Sequence, residues 1–404
     1  MKKKLIPEIR FKGFTETWTQ QQLEHYLDVS KQINIAEAFG KEDVLSVSGD
    51  YGIVNQIKFK GRSFAGASVA NYSIVDTGDV VYTKSPLKAN PFGIIKTNCG
   101  KPGIVSTLYA VYKPKKNVHS PFIQTYFCHD GRMNSYMHPL VNKGAKNDMK
   151  VSDENALKGY VIFPSFKEQC KLTEFFSLLD SYIANMVKKY EKLVRLKSAL
   201  LQKMFPREGC AVPEVRFGEF RGKWEKTKAK TIFCDYTDKG HPELPILAAS
   251  QELGMVRRDD IGVNFQHNAS SETTYKRVLP GQFVIHLRSF QGGFAHSTTE
   301  GIASPAYTVF TFREADRHDD FFWKYIFSSK QFIHCLRQIT YGIRDGRSIN
   351  VDEFWEMEFF VPSFAEQQKI ALFFQNMDKL ITLHQTKIAK FKNLKTALTS
   401  KMFV

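Results

Sequence analysis

FPSFKEQCKLTEFFSLLDSYIANMVKKYEKLVRLKSALLQKMF, residues 163–205, returns at residues 361–403 as VPSFAEQQKIALFFQNMDKLITLHQTKIAKFKNLKTALTSKMF. In the first stretch Leu172, Phe175, Leu179, Ile183, Met186, Tyr190, Leu193, Leu196, Leu200 and Met204 recur at steps of three and four. In the second, Ile370, Phe373, Met377, Ile381, His384, Ile388, Phe391, Leu394, Leu398 and Met402 do so at the same offsets. That period predicts an amphipathic helix with a coiled-coil-like seam. Ser165 with Glu168, and Ser363 with Glu366, predict a capping box at each start. Some 39 residues at ~1.5 Å each give a helix of about 58 Å. A helix of that length does not stand alone in a compact domain. Each seam is therefore expected to pack against the other, antiparallel about a two-fold axis. His384 stands in the seam where the first copy has Met186. Lys188, Lys189, Lys192, Lys379, Lys387 and Lys390 read as solvated outer positions.

The duplication extends outward from these helices. PEIRFKGFTETW (7–18) returns as PEVRFGEFRGKW (213–224), and GIVSTLYAVY (103–112) as GIASPAYTVF (301–310). The offset between copies falls from 206 at Pro7 to 203 at Gly78 and 198 at Gly103, where it stays. The first copy thus holds eight extra residues, all before Gly103, about five of them after Lys84. A repeat of about 200 residues is far beyond the roughly 20–50 of a solenoid or propeller unit. It is a whole domain plus a long helix, duplicated. The ends of the copies are alike and the middles are not, which predicts one scaffold serving two recognition tasks.

The middles read as α+β. DVLSVSG, GDVVYTK, FGIIKT, GIVSTLYAVYK and KGYVIF in the first copy are short β-rich runs broken by Gly, Pro and Asn. PILAAS, GQFVIHLR, GIASPAYTVFTF and MEFFV match them in the second. Residues 120–137 and 317–339 read as aligned helices that back the sheet. PREGCAVPEV (206–215) is a turn-rich linker.

Composition narrows the function classes. The 404 residues carry net charge +16, divided as +12 over residues 1–206 and +4 over 207–404. A basic chain of this kind points first to a polyanion such as nucleic acid. There is no apolar run of 18 residues to span a membrane, and MKKKLIPEIR lacks the apolar core of a signal peptide. Six scattered Cys with no CxxC pair predict a reducing, cytoplasmic setting rather than a disulfide framework or zinc ribbon. No GxxxxGK[ST] and no GxGxxG follows a strand, so no nucleotide or S-adenosylmethionine pocket is signalled. Asn90-Pro91-Phe92 resembles a fragment of an adenine-methyltransferase motif but reads as a loop turn. His119, His129 and His138 lack metal-helix spacing, and no catalytic triad is recognisable.

The paired phrases FPSFKEQCKLTEFFSLLDSYI and VPSFAEQQKIALFFQNMDKLI resemble the Pro-x-x-x-Glu-Gln-x-x-Ile opening of the conserved helices in specificity subunits of type I restriction–modification systems. KGAKNDMKVSDENALKGYVI (143–162) and YGIRDGRSINVDEFWEMEFF (341–360) resemble the strand–loop that closes each target-recognition domain in that family. The PEIRF…W openings fit as well, and the resemblance covers essentially the whole chain. Cys170 and Leu172 depart from the pattern conservatively. The resemblance implies a target-recognition domain at 1–163, a spacer helix at 164–205, a linker at 206–212, a second recognition domain at 213–361 and a second helix at 362–404. It implies a non-catalytic protein of two globular domains, whose helices pack as an antiparallel coiled coil with pseudo-two-fold symmetry. Each domain would read one half of a split, asymmetric target in double-stranded DNA, and the helices would set the gap. Two methyltransferase subunits and motor-nuclease subunits would join; S-adenosylmethionine, ATP and Mg would belong to those partners, with no cofactor in this chain. Half-sites about one helical turn apart, ~34–36 Å, suit a duplicated reader on a fixed spacer. The alternative is a self-contained methyltransferase or nuclease of the same systems. A purely protein-binding adaptor would show no DNA preference.

Phosphate contacts need Lys, Arg and polar donors; base contacts need Arg, Asn, Gln or Lys at loop tips. The candidates in the first domain are Lys58, Lys60, Arg62, Lys84, Lys88, Asn90, Lys143, Lys146 and Asn147. In the second they are Arg257, Arg258, His286, Arg288, Gln291, His296, Arg344 and Arg347. Lys146 and Arg344 lead, since both copies place a cation two residues after a Gly. On the helices, Leu172, Phe175, Leu179, Ile183, Ile370, Phe373, Met377 and Ile381 are the expected partner-binding positions.

Overall fold

A computed structural model describes residues 5–87, 89–143, 149–207, 209–250, 253–261, 269–286, 293–336, 339–341 and 348–404. The chain divides into two compact units. The first holds Met1–Met186 with Lys387–Val404, and the second holds Val187–Thr386. Each thus combines one globular domain, the first half of that domain's own helix and the end of the other helix.

In the first unit an antiparallel four-stranded sheet runs in the order Leu27–Val29, Tyr109–Pro114, Val80–Thr83, Ile95–Thr97. In the second unit the order Phe233–Asp235, Thr308–Phe312, Phe283–Ile285, Phe294–His296 repeats it strand for strand. Alternation on the inner strand serves two faces. Val80 and Tyr82 face the helices Ser120–Tyr126 and Asp130–Met137, in one core with Phe122, Ile123, Met133 and Met137. Val81 faces the other way, toward Leu45, Val47, Val75 and Val105. The second unit backs its sheet with Asp320–Phe327 and Lys330–Leu336. Each expected backing helix is therefore two short ones, broken at the turn around His129 and at Ser328–Ser329.

The excess residues of the first copy fall in loops. Strand pairing gives four between Val29 and Leu45, four between Tyr82 and Ile95 and one between Thr97 and Gly103, with the second copy one longer between its hairpin and the strand Lys276–Val278. The Tyr82–Ile95 loop contains Asn90-Pro91-Phe92, and it is a packed turn. Tyr82 Oη donates to the Phe92 carbonyl at 2.7 Å, and Gly93 (φ 82°) sits so close to the Thr83 carbonyl that no Cβ fits.

The long helices are Phe166–Lys203 and Phe364–Lys401, 38 residues each. Within the first unit the two helix segments run antiparallel: Tyr182 meets the Phe391 ring at 4.9 Å, and Lys395 donates to Asp180 at 2.5 Å. Within the second, Lys197 donates to Asp378 at 2.5 Å, the image of that ion pair 198 residues on. Leu196 and Leu394 lie outside the packed seam, exposed. The expected capping boxes do not form as read. Both oxygens of Glu168 accept from Arg10, and both of Glu366 from Arg216. A bidentate guanidinium outcompetes a single backbone N–H for a buried carboxylate.

Burial in the first unit carries a pH consequence. The phenols of Tyr82, Tyr112 and Tyr136 are pushed well above their ordinary range by loss of water. Each donates to a backbone carbonyl, of Phe92, Asp153 and Ala156. A raised folded pKa gives stability that is complete below the ordinary phenol value, about 10, and lost as pH rises above it. Alkaline titration is therefore expected to ionise exposed phenols first. The remaining tyrosinate absorbance should appear only together with loss of circular dichroism. Full tyrosinate absorbance in a chain with native dichroism would contradict this burial.

Candidate nucleic-acid interface

One surface of the first domain gathers three predicted cations. It grows from the hairpin Leu45–Ser48/Gly52–Asn55, which runs into the short helix Gln56–Lys60. Asn55 caps that helix by accepting from the Lys58 N–H at 3.1 Å. Gln56 ties the following loop back to the hairpin: its Nε2 donates to Ser46 Oγ, and its Oε1 accepts from the Phe64 N–H. Lys58, Lys60 and Arg62 stand exposed on this frame. The Lys60 ammonium lies 4.8 Å from the Phe59 ring centre and the Arg62 guanidinium 4.7 Å from that of Phe64. Among the described residues no carboxylate forms an ion pair with these three. Unpaired cations beside exposed aromatic faces can meet phosphate and base stacks together. The cations were legible in the sequence; Phe59 and Phe64 were missed, because apolar letters in a loop read as core.

The second domain carries a sparser version. Arg257 ends the hairpin Leu247–Ser250/Gly254–Arg257, exposed, and Arg258 follows it, half-buried. His286, just after the strand Phe283–Ile285, is half-buried, and burial pushes its imidazole pKa down. A ring held neutral this way is no phosphate-binding cation.

Two candidates belong to the interior. His296 is buried against Phe283 and Phe321, with Nε2 2.7 Å from Asp320 Oδ2. Burial opposes the Asp320 charge, but the His296 hydrogen bond and charge together with backbone N–H donors outweigh it and hold the carboxyl below its usual range. Asn90 is buried and donates to Asp130 Oδ1 at 2.7 Å. Lys84 is ion-paired to Asp153 at 2.6 Å. These three side chains are engaged in holding the fold. Lys143 ends the short strand Asn142–Lys143, paired with Met149–Lys150; in the second unit Thr340–Tyr341 pairs with Ser348–Ile349. Both predicted closing loops are thus rooted on paired stems. Lys88, Lys146, Asn147, Arg288, Gln291, Arg344 and Arg347 lie outside the described residues.

The helix positions expected to bind partners are instead used within the units. Leu172 and Ile370 are each 2% exposed, Ile183 and Met377 are buried, and Phe175 and Phe373 pack on Phe11 and Phe217. Leu179 and Ile381 are half-buried. A seam that faces a core is not available to a second protein. The apolar helix residues left exposed include Leu178, Tyr182 and Leu394 in the first unit and Leu196, Leu372, Leu380 and Leu383 in the second.

Among the described residues no group of His, Cys, Asp and Glu is arranged to hold a metal, and no helix is long and apolar enough to cross a membrane. No family profile and no curated protein matches the sequence. Solved structures do match its fold. One is a chain from work on complex assembly and conformational transition of the type I restriction–modification system. It has a TM-score of 0.53 at 13% identity, over 97% of this chain and 99% of the other. Another is the type I restriction–modification system S subunit from M. genitalium, with a TM-score of 0.55 at 9% identity over 99% of both chains. Along nearly its whole length, then, this chain has the fold of the S subunits of type I restriction–modification systems.

Proposed function

We propose that this chain is the DNA-specificity subunit of a type I restriction–modification complex and is not itself an enzyme. Each domain reads one half of a bipartite, asymmetric target in double-stranded DNA. The observation that carries this is the repetition itself: among the described residues each paired sheet and stem of one unit has its counterpart in the other, while the side chains on corresponding hairpins and loops differ. A scaffold kept twice with two different exposed faces suits two different sequences better than one repeated sequence.

The exposed cations Lys58, Lys60, Arg62 and Arg257 support contact with a polyanion. The stems at Asn142–Lys143 and Thr340–Tyr341 make the loops bearing Lys146, Asn147, Arg344 and Arg347 the leading base readers. The long helices, each unbroken from one unit into the other, would set the gap between half-sites. Methyltransferase and motor-nuclease subunits would dock on outward residues such as Leu178 and Leu372, bringing S-adenosylmethionine, ATP and Mg with them. Work in such a complex on cellular DNA places the chain in the cytoplasm.

Sequencing methylated DNA from cells carrying this chain with its methyltransferase partner tests the reading. The expected result is one split motif with unlike halves. Methylation independent of this chain, or a continuous motif, would overturn it.

A further inference from the structure

We propose that each domain presents a base-contacting finger to double-stranded DNA at the tip of one hairpin, with Tyr51 and Leu253 as the contact residues. This rests on the DNA-reading function above and assigns residues to it.

The two hairpins have the same register. Ser48 pairs with Gly52 in the first unit, and Ser250 with Gly254 in the second. In each, the serine Oγ accepts from the backbone N–H three residues on, Tyr51 at 3.2 Å and Leu253 at 3.3 Å. Each of those residues is followed by a glycine in the left-handed region, φ 72° at Gly52 and 78° at Gly254. The serine acceptor, the strand register and the glycine conformation are therefore shared, and they hold the residue before the glycine at the same place in each hairpin.

The base of each hairpin is fixed to its own domain. Leu45 and Val47 are buried with Val75, Val81 and Val105, and Leu247 and Met255 with Val278, Val284 and Val309. The tips are the opposite: Tyr51 is 70% exposed and Leu253 67%. Between residues 48–54 and 250–256 only the serine, the glycine and one valine coincide. A large apolar side chain nonetheless stands at the same exposed place in both copies. Packing within the unit does not account for it, and its exposure is relieved only by a partner.

The surroundings choose DNA as that partner. The Tyr51 ring lies 5.5 Å from Phe59, whose face carries the Lys60 ammonium. Arg257 stands exposed on the second hairpin, at the end away from the tip where it pairs with Leu247. Cations on the same surface fit phosphates, and an apolar tip fits what lies between them: a thymine methyl in the major groove, or a base step opened by a wedge. Tyrosine at one tip and leucine at the other would favour different steps, which matches unlike half-sites.

The test uses the full chain with its methyltransferase subunits, on duplexes carrying the motif that the wild type methylates. Tyr51→Ala and Leu253→Ala are each expected to weaken binding to that motif about 5- to 150-fold, the range of one lost base contact. Each should relax preference in one half only, and not the same half. The salt dependence should hold, because no phosphate contact is removed. Thermal midpoints should also hold for such exposed positions; Tyr51→Gln and Leu253→Gln replace any alanine variant that shifts. Wild-type preference in both variants, or a loss equal on all sequences, would overturn the fingers while leaving the specificity function standing. A wild type with no sequence preference at all would remove both.

Discussion

Phe403→Ala is expected to loosen the first unit by about 3–5 kcal/mol, the cost of truncating a buried aromatic ring, and to leave the second unit unaffected. Phe403 lies more than 200 positions from the residues it packs on, yet it is buried in their core. Its ring lies 6.1 Å from Trp18, 6.1 Å from Phe122, 6.0 Å from Tyr126 and 5.8 Å from Phe176. The Arg132 guanidinium lies 4.6 Å from the ring centre and donates to the Thr399 carbonyl at 3.0 Å. Hydrogen exchange resolves the outcome: amides of 120–137 and 172–183 should lose protection, and those of 320–336 should keep theirs. Phe205→Ala should do the reverse, since Phe205 packs on Trp224, Phe322 and Phe374 in the second unit. A loss of protection spread evenly over the chain in either variant would show that the units do not open independently.

The exchange of helix ends was only half legible in the sequence. The three–four periodicity and the repeated KMF at 203–205 and 401–403 announced two helices and a shared seam. They did not announce that the final Phe leaves the seam and enters a globular core, because a periodic apolar letter says that a residue is buried and not against what. For the same reason Leu172 and Ile370 read equally well as docking residues and as core. Leu196 and Leu394 fitted the period and are exposed; they directly precede Lys197 and Lys395, whose ion pairs turn that part of each helix to the partner segment.

Short strands were legible where apolar and not where polar. TQQQ (19–22) and EKTK (225–228) carry no β signature, yet each pairs antiparallel with the closing strand of its domain, Tyr160–Phe163 or Glu358–Val361. Their side chains are mostly exposed, so backbone pairing and surface contacts such as Lys226 with Glu358 hold them rather than apolar burial. At the candidate interface the cations were readable because charge is exposed by default. Asn90 and His296 were not, because the same polar letters serve a buried hydrogen bond to Asp130 or Asp320 as well as they serve a base.

The opening motif PEIRF was read as a mark of the repeat, and the structure gives its arginine a large energetic role. Arg10 holds Glu168 through Nε and Nη2, both at 2.7 Å, and the carboxylate is almost fully buried. Arg216 holds Glu366 in the same way. The hydrogen bond from Arg10 to Glu168 raises the guanidinium pKa further above its ordinary value, so its charge is constant at any working pH. Arg10→Ala leaves a buried carboxylate without its counter-charge, which costs about 3–5 kcal/mol. Glu168 also sits in the first turn of a 38-residue helix, where the positive end of the dipole offsets part of that, about 0.3–1 kcal/mol. Replacing both partners with apolar residues of similar volume, Arg10→Met with Glu168→Leu, should recover most of the loss, because no charge is then left buried. Denaturant unfolding of the full chain, with hydrogen exchange at residues 166–176 to locate the effect, distinguishes the two. If the double variant is as unstable as Arg10→Ala, the pair is holding the helix start in place through its forked geometry rather than only compensating its own charge. The same comparison at Arg216 and Glu366 should then give the same answer in the second unit.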